Sequence, residues 1–136
     1  MLFPFCSEHL QQKKWPYYDQ LIKLIKQNHP NLKIVIAPGP DEIEKAKKLD
    51  AVSILKEDKA ISISELAGLI KRSKFVVAND TGPAHMAAHL NVKGLSLFGS
   101  HTTAYKVSIE RENFKAIQVS DLKNLSAQKV FERLDL

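Results

Sequence analysis

Short apolar runs alternate along the chain with helically spaced segments. Leu2–Phe5 reads as a buried strand. Trp15–Asn28 places Leu21, Ile22, Leu24 and Ile25 on one helical face, with lysines on the other and Pro16 suited to the first turn. Asn28-His29-Pro30-Asn31 breaks that helix, and Leu32–Ala37 reads as a second strand. Pro38-Gly39-Pro40 is a turn. Asp41–Leu49 follows as a short helix with acids at its start and lysines towards its end, which complements the helix dipole. Ala51–Leu55 is a third strand. Ser62-Ile63-Ser64-Glu65 carries a capping-box pattern that opens a helix to about Lys71. Phe75–Ala78 is a strand, Pro83–Leu90 a helix and Gly94–Phe98 a strand. A last strand over Phe114–Val119 and a closing helix over Ser126–Leu134 complete the pattern, with an aperiodic loop over Gly99–Asn113.

Strands joined through helices or long connections imply a parallel sheet covered on both faces. The expected fold is a single Rossmann-like, doubly wound α/β domain over residues 1–136. No internal repeat, low-complexity tract or linker interrupts it. In such sheets a ligand lies off the carboxyl ends of the strands, at the point where strand order reverses. The loops of interest are therefore Cys6–Lys14, Pro38–Glu42, Lys56–Ser62, Asn79–Gly82 and Gly99–Ala104.

Composition narrows the function classes. The chain has 136 residues, 44% hydrophobic and 26% charged, an ordinary globular balance for one core. No apolar run approaches the roughly 20 residues that span a bilayer. The apolar start, Met1-Leu2-Phe3-Pro4-Phe5-Cys6, lacks the basic leader and cleavage site of a signal peptide. Cys6 is the sole cysteine, so no intramolecular disulfide forms, which fits a reducing cytoplasm. The formal charge of +5 suits a lysine-rich solvated surface and also anionic partners: phosphates, acidic glycolipids or a membrane face. Nucleic acid is not expected, because Arg72, Arg111 and Arg133 are the only arginines and no basic run is interleaved with aromatics.

The chemistry concentrates in Phe75-Val76-Val77-Ala78-Asn79-Asp80-Thr81-Gly82-Pro83-Ala84-His85. A buried strand ends in polar residues, turns at a glycine and opens a helix whose free N–H groups make an anion site. Gly82 lets a bulky oxyanion approach, Thr81 adds a hydroxyl and His85 can donate to a phosphate oxygen. Asp80 repels phosphate and suits a sugar hydroxyl. The same residues also read as an Asp/Thr helix cap with a buried histidine. Lys13-Lys14-Trp15-Pro16 places a compact cation in the loop after the first strand, within reach of a diphosphate. Asp41 or Glu42, after the second strand, can accept from ribose hydroxyls or simply charge a helix start.

Other motifs are missing. Glycines 39, 68, 82, 94 and 99 form neither G-x-G-x-x-G nor a Walker A loop, which argues against a dinucleotide dehydrogenase or a P-loop kinase. His85 and His89 are one helical turn apart, but Met86 stands where a zinc protease has glutamate, and no metal is expected. Ser96 and Ser100 lie outside any G-x-S-x-G elbow. Cys6 reads as a small buried hydrophobe.

Taken together, these residues resemble the C-terminal half of the bacterial lipopolysaccharide heptosyltransferases, glycosyltransferase family 9. Val-Val-Ala-Asn-Asp-Thr-Gly-Pro-Ala-His-Met-Ala-Ala from Val76, followed by the Leu97-Phe98-Gly99 strand end, is similar to the family's hallmark. Lys13-Lys14-Trp15-Pro16 resembles its second signature and Pro38-Gly39-Pro40-Asp41-Glu42 its Gly-Pro-x-Glu turn. The resemblance implies the donor half of a two-domain GT-B enzyme, with the N-terminal acceptor domain and its general base absent from these residues. It implies an inverting transfer of heptose from ADP-heptose to the lipid A–core acceptor, without a metal, in the cytoplasm or peripherally at the inner membrane. By resemblance Asp80 contacts the sugar. Thr81, Gly82 and His85 hold the diphosphate together with Lys13. Ser7 matches the upstream hydroxyl residue and Asp41 or Glu42 the ribose-binding acid. Lys13 and His85 would stabilise the leaving group. The other expectation is a stand-alone nucleotide or nucleotide-sugar binding module without catalysis.

Overall fold

The computed structural model describes all 136 residues. Six strands form one sheet: β1 (Leu2–Phe3), β2 (Val35–Ile36), β3 (Val52–Ser53), β4 (Val76–Asn79), β5 (Gly94–Phe98) and β6 (Phe114–Gln118). Five α-helices connect or follow them: α1 (Tyr18–Asn28), α2 (Ile43–Ala46), α3 (Ile63–Lys71), α4 (Gly82–His89) and α5 (Ala127–Phe131). Short 3-10 helices cover Glu8–Lys13, Pro40–Glu42 and Leu122–Asn124. Every pairing is parallel and the order is β3-β2-β1-β4-β5-β6, so the order reverses between β1 and β4. This is the doubly wound Rossmann arrangement that the hydrophobic pattern predicts.

Alternation along the strands sorts the core into two layers. Leu2, Val77, Leu95 and Leu97 face α1, α2 and α5, where Leu21, Ile22, Ile25, Ala46 and Val130 pack around Trp15. Phe3, Val76, Ala78 and Phe98 face α3 and α4, against Ile70, Ala84, Ala87 and Ala88. The alanine face of α4 brings its backbone close to the sheet, which places its N-terminus directly over the end of β4. Ser62 caps α3 as its motif predicts: its Oγ accepts from the Glu65 N–H at 3.2 Å and Glu65 Oε2 accepts from the Ser62 N–H at 2.8 Å.

The strands on the β3 side are shorter than their apolar runs. Leu32–Ala37 contributes only Val35–Ile36 to the ladder, because β1 pairs with it at a single register position, Leu2 with Ile36. Ile34 and Ala37 on either side are buried, Lys33 is exposed, and the Ile34 carbonyl accepts from the Val52 N–H at 2.9 Å. The Asp41–Leu49 helix is likewise cut down, to the 3-10 turn Pro40–Glu42 and the single turn of α2. On the other side, Gly94 is a steric necessity. A Cβ there would lie 2.6 Å from the Phe114 ring and 2.7 Å from the Val76 carbonyl oxygen.

Asn79 ties the reversal point together. Its fully buried side chain donates to the Pro4 carbonyl at 3.0 Å, beyond β1, and its Oδ1 accepts from the Trp15 N–H and the Tyr18 hydroxyl, both at 3.3 Å. Trp15 Nε1 donates to the Leu125 carbonyl at 2.7 Å. One amide thus fixes the ends of β1 and β4 and the entry to α1, on which Lys13 depends. No helix is long and apolar enough to cross a membrane.

Candidate functional site

The site forms where the β1 and β4 ends diverge. The chain leaves β1 through Pro4–Ser7 and winds into the Glu8–Lys13 helix, whose last residue is Lys13. It leaves β4 at Asn79 and Asp80 and enters α4 through Thr81, an extended residue at the helix cap (φ −146°, ψ 170°) whose side chain makes no capping hydrogen bond. At the start of α4 Pro83 has no N–H and the Ala84 and His85 N–H groups bond the Thr81 carbonyl at 3.0 and 3.2 Å, so Gly82 supplies the N–H left without a partner. Gly82 is exposed, and a Cβ on it would meet nothing within 4 Å. Packing does not demand a glycine there, and the space over the helix start is open to a ligand.

Asp80 is the centre of the cluster. Its side chain is only 5% exposed, and three donors converge on it. Lys13 Nζ lies 3.3 Å from Oδ2, His101 Nε2 lies 3.1 Å from the same oxygen, and His85 Nε2 lies 3.2 Å from Oδ1. Burial by itself would raise the carboxyl pKa. The His101 hydrogen bond, the Lys13 charge and the His85 hydrogen bond outweigh it, and Asp80 is held below the usual aspartate value as a carboxylate. A carboxylate only accepts, so each imidazole presents its Nε2 proton to it. The His101 ring, 4% exposed, stacks on Phe98 with centroids 5.8 Å apart and planes 12° from parallel.

Beside this cluster opens a cavity of about 470 Å³ at the same end of the sheet. Ser7, Gly39, Glu42 and Thr81 give it a polar side, and Ile61, Ile63 and Leu66 an apolar one. Ile63 is 77% exposed despite its size, an apolar face turned to the cavity mouth. The arrangement suits a ligand with a flat apolar part, hydroxyls and an anionic end. Cys6 also lines the cavity. Its thiol donates to the Leu10 carbonyl at 3.3 Å, and burial pushes its pKa up against the pull of Lys14, which makes it a poor nucleophile. A second cavity of about 240 Å³ sits at the opposite end of the sheet, among Met1, Ile34, Phe75 and Leu134, far from the polar loops.

The structure thus draws Lys13, Asp80 and His85 into one cluster, with Gly82 and Thr81 at the adjoining helix start and Ser7 and Glu42 along the cavity wall. It separates the two acids after β2. Glu42 lines the cavity and folds back to accept from the Gly39 N–H at 2.8 Å, whereas Asp41 is exposed and lies outside the lining. His101 is an addition. The sequence points to its loop, Gly99–Ala104, but not to the ring. The available signal is a histidine three residues beyond the end of β5, the strand beside the one that delivers Asp80. His89 turns its Nδ1 to the His85 carbonyl at 2.7 Å, and no group of three or more His, Cys, Asp and Glu side chains is placed to hold a metal ion.

The model of glycosyltransferase family 9 (heptosyltransferase) matches residues 1–134. The chain belongs to glycosyltransferase family 9. Among curated proteins, lipopolysaccharide heptosyltransferase 1 of Campylobacter coli is 29% identical over 114 residues, which is 77% of this chain and 33% of that protein. Among solved structures, the E. coli heptosyltransferase WaaC with ADP superposes with a TM-score of 0.82 at 24% identity, over 96% of this chain and 41% of that one. The same enzyme with ADP-2-deoxy-2-fluoro heptose gives 0.79, and E. coli ADP-heptose lps heptosyltransferase II gives 0.75 at 20% identity. The chain spans about a third of the curated relative and about two fifths of the solved ones. These family 9 structures share the doubly wound fold described here over nearly its whole length.

Proposed function

We propose that residues 1–136 form the donor-binding domain of an inverting heptosyltransferase that moves heptose from ADP-heptose to the inner core of lipopolysaccharide. The observation that carries this reading is the convergence of Lys13, Asp80 and His85 at the strand reversal, next to the uncapped start of α4 and the 470 Å³ cavity. In this reading the nucleoside occupies the cavity, its base against Ile61, Ile63 and Leu66 and its ribose on Glu42. The diphosphate lies over Gly82, held by Ser7, Thr81, Lys13 and His85. Lys13 and His85 sit on opposite oxygens of Asp80, and a side-chain rotation carries either onto a phosphate. Asp80 accepts from a sugar hydroxyl. The ADP in one related structure and the ADP-sugar analogue in another support a donor of this class.

The reaction is a displacement at the anomeric carbon. An acceptor hydroxyl oxygen forms the new bond, and the bond to the diphosphate oxygen breaks, its electron pair leaving with the nucleoside diphosphate. The acceptor proton passes to a base on the acceptor-binding domain. Negative charge grows on the leaving oxygen, where Lys13, His85 and the α4 N-terminus stabilise it. These protein donors supply the positive charge that a divalent ion supplies in other transferases. The net charge of +5 suits an anionic lipid A–core acceptor and an acidic membrane face, and so a cytoplasmic enzyme working peripherally at the inner membrane.

Calorimetric titration with ADP, ADP-heptose and UDP-sugars tests the reading. ADP compounds should bind, and Lys13→Ala should weaken them about tenfold through loss of one charge-assisted contact. Binding of no nucleotide by the folded protein refutes the proposal.

A further inference from the structure

The His101 ring has no evident packing purpose. It is almost fully buried, its Nδ1 has no hydrogen-bond partner in the protein, and its one polar contact is Nε2 to Asp80 Oδ2. A phenylalanine would fill the same space on Phe98 without leaving a buried nitrogen unpaired. The ring is therefore placed for the carboxylate. It also duplicates a contact, because Lys13 Nζ approaches the same oxygen at 3.3 Å.

The two donors to Oδ2 differ in freedom. Lys13 ends a flexible side chain that is 24% exposed, whereas His101 is clamped between Phe98 and Asp80. Its loop is pinned as well. Gln118 Nε2 donates to the Gly99 carbonyl at 2.6 Å, and its Oε1 accepts from the Ala104 N–H at 3.2 Å. With Lys13 off Oδ2, His101 is what remains on that oxygen, while His85 contacts Oδ1.

We infer that His101 is a positioning residue for donor-sugar recognition: it holds the buried Asp80 carboxylate in its sugar-facing orientation while Lys13 is engaged by the diphosphate. This rests on the donor-site reading. It adds that discrimination between a nucleotide and a nucleotide-sugar depends on a ring that touches neither.

The readout is the ratio of ADP to ADP-heptose affinity, the sugar increment, measured by calorimetry on variants whose folding is checked by circular dichroism and thermal melting. His101→Phe keeps the stacked ring and removes the donor. His101→Gln keeps an N–H at about the same reach. The expected result is a normal ADP affinity in both, loss of about tenfold in the sugar increment in His101→Phe, and recovery of most of it in His101→Gln. A variant that weakens ADP and ADP-heptose equally, or neither, overturns the inference while leaving the donor site standing. Wild-type protein that binds neither ligand overturns both together.

Discussion

Replacing Asp80 with asparagine keeps the shape of the side chain and removes its charge and one of its two acceptor oxygens. Three donors meet that carboxylate, at 3.1, 3.2 and 3.3 Å. The amide can serve only the donors on one side, so at least one buried contact is lost and the others lose their charge assistance. Hydrogen bonds to charged groups contribute about 1.5–3 kcal/mol and neutral ones about 0.5–1.5, so Asp80→Asn should cost about 2 kcal/mol, moderated by the partly exposed Lys13 and His85. The cost should depend on pH in one direction. The Asp80 pKa is lower in the folded protein than the ordinary value of 3.8, so its stabilisation is fully present above that value. It is lost as the pH falls through the lower folded value, where wild type protonates and the variant has nothing to protonate. Urea melts of both proteins at a series of pH values measure this. The gap should shrink as the pH falls below 3.8 and through the lower folded value. A gap that persists unchanged into acid, or a variant as stable as wild type at neutral pH, refutes the assignment of Asp80 as a buried, multiply paired carboxylate.

Other expectations follow from particular contacts. Gly94→Ala should lower stability by about 1–3 kcal/mol, seen as a lower melting temperature, because its Cβ would collide with Phe114 and the Val76 carbonyl. Asn79→Leu should cost about 2–4 kcal/mol, since it strands the Trp15 N–H and the Pro4 carbonyl and leaves the Tyr18 hydroxyl with the Phe3 carbonyl as its acceptor; a chemical-denaturation midpoint close to wild type would contradict that. Glu42→Ala should weaken ADP binding severalfold in calorimetry, whereas Asp41→Ala should leave it unchanged, because only Glu42 lines the cavity.

The fold was legible because the strongest signals were periodic and local. The apolar runs at Phe75–Ala78 and Gly94–Phe98, the capping box at Ser62 and the proline at the start of α4 all agree with what the chain does. Strand length was less legible. The apolar run Leu32–Ala37 reflects burial, while the ladder is limited by a neighbour of two residues, β1, remote in sequence. The site was legible where its residues are contiguous, as at Asp80–His85. The choice between Asp41 and Glu42 turned on a backbone turn that sends one side chain into the cavity and the other into solvent. His101 lay hidden because its partner is 21 residues away, in the turn that follows the neighbouring strand. Nothing in an aperiodic loop announces which side chain will turn inward.

The central claim is that an ADP-type donor binds at the reversal of strand order. A ¹⁵N NMR titration of the protein with ADP addresses it most directly. The account predicts saturable shifts at Ser7, Gly39, Gly82 and His85, around the Asp80 cluster and its cavity. Shifts confined to the strand-start cavity near Ile34 and Phe75, or no shifts at millimolar ADP, would contradict it.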